Sequence, residues 1–280
     1  MTRSRGFTQV DVFAGEGLSG NPLAVVHDSD GLSTEEMLAF TRWTNLSEVT
    51  FLAPPTLPDA DYAVRIFYAG GELPFAGHPT LGSAHAWLGA GGLPRREGVV
   101  VQECGAGAVP VRIEGGLLSF RAPELLRSGP LGDDELEETL RFLRIEREQV
   151  LDHAWCDNGP GWRGVLLRSA EDVLALDPDA SLIDGLDVGV VGAHAPGSPT
   201  DFEVRTFFPG ASGMAEDPVT GSFNAAVGQW LTGTGRAPER YLATQGTALG
   251  RQGRVEVVRD DEGVWVGGAC TTVVSGSAVL

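Results

Sequence analysis

The 280 residues include no lysine, and all 20 cationic side chains are arginine. This excludes a Schiff-base lysine, a covalently held pyridoxal phosphate and the lysine of a phosphate-binding P-loop. Cysteine is nearly as scarce. Cys104, Cys156 and Cys270 are an odd number with no CxxC spacing, which reads as reduced structural thiols and not as a disulfide framework or a zinc site. No apolar run reaches the roughly 18 residues that a membrane span requires. The opening stretch MTRSRGFTQVDVFAG has no apolar signal core, so a cytoplasmic location is expected. Positive charge is outweighed by 38 acidic residues, for a formal net charge of −18. A nucleic-acid partner is excluded, because phosphate binding needs a dominant basic face.

Histidine is also sparse, at five residues. His78 and His85 stand seven apart, about 10 Å along a helix, too far to share one metal. His27, His153 and His194 fall in no ligand spacing, so no metal is expected. The Gly-rich runs at 14–20 and 209–213 match neither GxGxxG before a helix nor a P-loop, so no nucleotide or flavin is expected either.

What the chain does contain, it contains twice. Residues 64–88 read VRIFYAGGELPFAGHPTLGSAHAWL, and residues 204–231 read VRTFFPGASGMAEDPVTGSFNAAVGQWL. Each copy starts with an apolar run carrying Val-Arg and Phe, crosses a Gly-rich loop and opens a helix. Arg65 and Arg205 are 140 residues apart, His78 and Asp217 are 139, and Asn21 and Asn158 are 137. Three landmarks in one register indicate a duplicated half-chain of about 140 residues.

The repeat predicts local structure as well. Pro79 and Pro218 are expected at the first helical position, with His78 and Asp217 just before them. The following stretches, Thr80 to Leu88 and Val219 to Leu231, are Ala-, Leu- and Trp-rich and nearly uncharged, as buried helices are. A buried helix start offers free N–H groups and partial positive charge to an anion. Two such starts near Gly77-His78 and Gly221-Ser222, related by a pseudo-twofold, are expected to hold one small acidic ligand.

A chain of this length with 42% hydrophobic residues suits two domains. The expected boundary lies in the polar stretch 127–133, giving lobes 1–126 and 127–280 and allowing the final strand to return to the first. Phe7 to Phe13 alternates as a strand. Ser33 and Glu36 form a capping box for a helix that ends at Asn45. Asn45 to Leu52 leaves that helix and enters a strand, with Glu48 at the junction. Strands are expected at 98–102, 108–114 and 116–121. In the second half, Asp133 or Asp134 should cap a helix, Ser169 a short helix through Leu176, and strands should lie at 165–167, 188–191, 254–259 and 264–266.

Taken singly, the polar residues are unremarkable. His78 alone is a polar loop residue, Asp217 alone an ordinary helix cap, and Glu48 alone one of many solvated carboxylates. Together they carry a resemblance. Asn45-Leu46-Ser47-Glu48, Phe75-Ala76-Gly77-His78-Pro79-Thr80 and Asp217-Pro218-Val219-Thr220-Gly221-Ser222, with Asp11-Val12-Phe13 and Gly20-Asn21-Pro22, resemble the phenazine-biosynthesis PhzF-like family over nearly the whole chain.

The resemblance implies an α+β, diaminopimelate-epimerase-like fold: two pseudo-symmetric lobes, each a curved, mostly antiparallel sheet wrapped around a central helix, with the active site between them. It also implies a homodimer. Glu48 matches the family's acid/base glutamate, His78 and Asp217 its other catalytic polar residues, and Gly77, Gly221 and Ser222 the substrate-binding positions. The implied reaction is a cofactor-free isomerisation of the dihydro-hydroxyanthranilate type in secondary-metabolite biosynthesis, with a small anionic substrate. Two alternatives share the fold: an epimerase or racemase of an amino or hydroxy acid, and a catalytically idle binding protein. Related racemases use one thiol in each half at the repeated helix starts, and here neither start carries a cysteine.

Overall fold

A computed structural model describes residues 3–210 and 213–280; Ala211 and Ser212, in the second Gly-rich run, lie outside the described residues. The chain forms two compact units, Met1–Arg121 with Gly267–Leu280, and Ala122–Val266.

The first unit begins with β1 (Ser4–Val12) and β2 (Asn21–Val26), which pair antiparallel. Helix α1 (Thr34–Thr44) follows. Its Ser33/Glu36 capping box is formed as the sequence requires, and Asn45 ends it in the left-handed conformation that asparagine tolerates better than most residues. Strand β3 (Glu48–Ala53) runs parallel to β2 and antiparallel to β4 (Tyr62–Tyr68), which turns tightly into β5 (Gly71–Leu73).

Helix α2 (Gly77–Gly89) is uncharged, and nine of its 13 residues are buried. After it, β6 (Val99–Cys104), β7 (Gly107–Glu114) and β8 (Leu117–Arg121) form a meander. The sheet has two covered faces, and alternation decides which residue meets which cover. Val49, Phe51 and Phe67 pack with Met37 of α1. Residues of opposite parity face α2, as shown by the Ser83 hydroxyl donating to Thr50 at 2.9 Å.

The second unit opens with α3 (Asp133–Leu143), whose acidic first turn suits the helix dipole. Gly132, not Asp133 or Asp134, occupies the cap position. Glu135 takes over the capping role by accepting from the Gly132 N–H at 2.8 Å, so the two aspartates fall inside the first turn. Strands β9 (Val150–Cys156) and β10 (Trp162–Leu167) precede α4 (Ala170–Leu174), which Ser169 caps. Helix α4 stops at Leu174, two residues short of the expected Leu176.

Strands β11 (Val188–Ala193), β12 (Phe202–Gly210) and β13 (Gly213–Glu216) come next, then α5 (Gly221–Gly233), β14 (Arg240–Gln245), β15 (Gly253–Asp260) and β16 (Gly263–Gly268). Phe142, Val165, Val190 and Phe207 form the core beneath α3 and α4. Helix α5 is buried and uncharged like α2. The final strand, β17 (Cys270–Val279), belongs to the first unit and pairs antiparallel with β1. Alternation had not predicted it, because Thr, Val, Ser and Ala there give no apolar period. The fold is α+β, built of strands with few helices. Among the described residues, no helix is long and apolar enough to cross a membrane.

The repeat is visible in each unit. Arg65 grips Glu72 of the β4–β5 hairpin through two bonds of 2.7 and 2.6 Å, and Arg205 grips Glu216 of the β12–β13 hairpin through two of 2.8 Å. Each guanidinium also lies over the phenylalanine two residues on, at 5.0 Å from Phe67 and 4.9 Å from Phe207.

Candidate active site

Glu48 is the first residue of β3, on the face toward α2. It lies where the chain leaves the Asn45 turn, so its backbone is anchored while its side chain reaches the sheet end. His78 is the second residue of α2 and its side chain is almost wholly buried. Its Nε2 stands 3.4 Å from Glu48 Oε2. Its Nδ1 stands 3.5 Å from Asn21 Nδ2.

The amide N–H of Asn21 donates to Nδ1, which places the ring proton on Nε2, toward the carboxylate. Burial pushes the His78 pKa down to about 3. The contact therefore joins a neutral imidazole to a carboxyl group and is not an ion pair of two full charges.

Asn21 is itself held by a tight turn. The buried Asp11 carboxylate accepts from the Ser19 and Gly20 N–H groups, both at 2.9 Å. A Cβ on Gly20 would lie 2.1 Å from the Val12 carbonyl oxygen. The motif Gly20-Asn21-Pro22 thus delivers an amide to the back of His78 on a rigid strand end. Gln102, fully buried on β6, accepts from Tyr62 at 2.9 Å and donates to Thr80 of α2 at 3.0 Å, tying the helix start to the sheet.

The second unit builds a comparable helix start from different parts. Asp217 precedes α5 and accepts from the Thr220 hydroxyl at 2.7 Å. Thr220 also meets Thr206 at 2.6 Å, and its N–H donates to the fully buried Gln245 at 3.0 Å. Gln245 Nε2 lies 3.0 Å from the Thr220 hydroxyl and 3.2 Å from the Asp217 carbonyl. Ser222 is the second residue of α5. Its hydroxyl oxygen accepts from the Trp162 indole at 3.0 Å, and its carbonyl from the Asn158 amide at 2.9 Å. With an acceptor position filled by Trp162, the Ser222 O–H is directed to donate elsewhere.

These positions correct the helix starts expected from the sequence. Pro79 is the third residue of α2 and His78 the second, while Pro218 and Asp217 lie outside α5 altogether. Pro79 is tolerated in the first turn because no N–H is needed there. Around Pro218, the Asp217, Thr206 and Gln245 side chains hold Thr220 extended, which delays the helix. The two 13-residue helices therefore correspond at Gly77 and Gly221, and the 139-residue register of His78 and Asp217 does not carry into them. Neither start has a side-chain cap on its N-cap residue, Ala76 or Thr220.

Within the first unit, Glu48, Gly77 and His78 come together; within the second, Asp217, Gly221 and Ser222 do. The sequence offers Asn21 as a repeat landmark and motif residue and Asn158 as a repeat landmark, without a site role for either, and gives no signal for Trp162, Gln102 or Gln245. Among the described residues, no group of three or more His, Cys, Asp or Glu could hold a metal ion. The thiols are pushed up by burial, Cys156 and Cys270 to about 12.

Comparison with known proteins decides the family. Residues 10–276 match the family described as phenazine biosynthesis-like protein. The chain belongs to this PhzF family. A trans-2,3-dihydro-3-hydroxyanthranilate isomerase of Pseudomonas aeruginosa is 35% identical, over 89% of this chain and 88% of its own. Antisense-enhancing sequence 1 of Schizosaccharomyces pombe is 36% identical over 98% of both chains. A crystal structure of a PhzF-family protein of Enterococcus faecalis superposes with a TM-score of 0.81 at 25% identity, covering 99% of this chain and 100% of that one. PhzF is an isomerase family, and relatives from several bacteria carry isomerase names.

Proposed function

We propose that this PhzF-family chain is a cofactor-independent isomerase that moves a C–H proton within a small unsaturated carboxylic acid, of the dihydro-hydroxyanthranilate type. The observation that carries the reading is the 3.4 Å approach of buried, neutral His78 to Glu48, with Asn21 behind the imidazole. Glu48 is the proton carrier. Its carboxylate takes the proton from a ring carbon as the C–H electron pair moves into the conjugated system. The same group, now a carboxylic acid, returns the proton at another carbon, and the intermediate enol becomes a ketone. No net oxidation occurs, and side chains supply the acid and base.

The neutral imidazole of His78, 3.4 Å from the Glu48 carboxylate, orients that group for proton transfer. Asp217 manages the substrate's oxygen and nitrogen protons. Each helix start, near Gly77 in the first unit and near Gly221 and Ser222 in the second, has N–H groups suited to an anion such as the substrate carboxylate. The reading carries with it a cytoplasmic homodimer acting on a small anion. A two-thiol epimerase is disfavoured, because none of the three cysteines stands at a helix start and burial keeps their thiols protonated.

The test is deuterium incorporation. Wild-type protein incubated with trans-2,3-dihydro-3-hydroxyanthranilate in D₂O is expected to isomerise it and label the product carbon. Glu48→Gln keeps the side-chain shape but accepts no proton, and should lower both rates about 10²–10⁴-fold while substrate still binds. Exchange at the wild-type rate in that variant would remove Glu48 from its role. Binding without any exchange by the wild type would point to a binding protein instead.

A further inference from the structure

Tyr68 ends β4 directly opposite Glu48 in the antiparallel β3–β4 register. Directly opposed residues point to the same face, with Cβ atoms roughly 4.5–5.5 Å apart. That face is the one toward α2. Glu48 reaches His78 there and Thr50 bonds Ser83 there, whereas Val49, Phe51 and Phe67 pack with α1 on the other side. Arg65, of the same parity as Phe67, bonds Thr34 at the start of α1. Tyr68 therefore stands on the His78 side of the sheet, beside the proposed base.

Its ring is both exposed and braced. Tyr68 is 42% exposed, while its strand neighbours Phe67 and Ile66 are buried. A Cβ on Gly70 would fall 2.5–2.6 Å from the ring atoms Cε2, Cζ and Oη, so the ring rests on bare glycine backbone. The hairpin tip is pinned as well, because Arg42 Nε donates to the Ala69 carbonyl at 2.9 Å. An aromatic ring left half open to solvent, backed by glycine and adjacent to the Glu48–His78 pair, offers a flat apolar wall at low entropic cost.

We propose that Tyr68 is a specificity-determining residue: its ring is the wall against which a planar unsaturated ring acid lies, setting the substrate class to flat cyclic carboxylates over saturated ones. The proposal rests on the reading of Glu48 as the proton carrier, since it is that site's substrate which Tyr68 selects. The recognition comes from the π face, so the phenolic hydroxyl is dispensable.

Calorimetric titration with anthranilate, a planar aromatic acid, and cyclohexanecarboxylate, a puckered saturated one, tests this. Wild type should prefer anthranilate. Tyr68→Ala should bind anthranilate about 10-fold more weakly and cyclohexanecarboxylate within about 2-fold of wild type, and Tyr68→Phe should match wild type for both. Tyr68→Leu, which keeps apolar bulk without a π face, should behave as Tyr68→Ala. Equal losses for both probes, an unchanged Tyr68→Ala, or no anthranilate preference or binding in wild type overturns the proposal. Glu48→Gln separates the two readings. If it still exchanges deuterium while Tyr68→Ala loses anthranilate selectively, the base assignment falls and the wall stands. If it loses exchange while Tyr68→Ala binds both probes as wild type does, the wall falls and the base stands.

Discussion

The two halves solve one problem, fixing a buried helix start, with different side chains. At α2, an imidazole sits as the second helical residue, engaged by Asn21 and kept neutral by burial. At α5, a serine occupies the second position, its residue engaged by Asn158, and the acidic side chain stands before the helix within a hydroxyl network. Each helix is tied to its sheet by one buried glutamine, Gln102 or Gln245. The scaffold of the repeat is kept while the reactive side chains differ.

The repeated arginines provide the sharpest test of how far the copies have diverged. Arg205 and Glu216 are both nearly buried, and Arg205 also donates to the Val173 and Leu176 carbonyls at 3.2 and 2.8 Å. Arg205→Met would strand a buried carboxylate and two carbonyls, and should cost about 3–5 kcal/mol in urea unfolding. Arg65 and Glu72 are each more than a third exposed. Arg65→Met should therefore cost only about 0–1 kcal/mol. Equal losses would show that the two hairpins depend on their arginines alike and that burial is not the difference.

Much of this was legible in the sequence, and the part that was not has a physical cause. The Ser33/Glu36 box, the Asn45 stop and the placement of Glu48 are local signals, each decided within a few residues. The landmarks Arg65 and Arg205 retain the same role in both halves. The helix starts were misplaced because Pro218 reads locally as a first-turn proline, while the network that keeps 217–220 extended comes from Thr206 and Gln245, 11 and 28 residues from Asp217. The bond between Trp162 and Ser222, and the register setting Tyr68 opposite Glu48, are likewise properties of folded neighbours. No periodicity encodes them.

The electrostatic contrast predicts a pH dependence carried by the first unit. His78 has a folded pKa of about 3 against an ordinary value of 6.5. The unfolded chain therefore binds a proton that the folded chain refuses. Its contribution to stability is complete above pH 6.5 and is lost as pH falls toward 3. At pH 5 the loss relative to pH 8 should be about 2 kcal/mol. Chemical denaturation of His78→Gln at the two pH values should show that difference reduced, and an undiminished difference would place the titration elsewhere.

The second unit supplies the opposite sign. Glu203 is buried at the start of β12, with Thr247, Arg205 and Glu216 acting on it and His194 Nε2 at 3.4 Å. Burial pushes its carboxyl up to about 7 from 4.5, despite the opposing pull of the Thr247 hydroxyl and Arg205. Here the folded chain holds a proton that the unfolded chain has released. Stability from this group is full below pH 4.5 and falls as pH rises through 7. Glu203→Gln keeps a neutral hydrogen-bonding group in place, so it should gain stability on the wild type between pH 5 and pH 8. A gain of about 1 kcal/mol is expected, discounted for the solvent that reaches His194. The control is His194→Gln. If an imidazolium at 3.4 Å were holding Glu203 ionised, Glu203→Gln would lose stability at pH 6 and His194→Gln would lose as much. If burial sets the titration of the carboxyl, His194→Gln should leave the pH 5 to 8 profile nearly unchanged, because the profile then follows Glu203 alone.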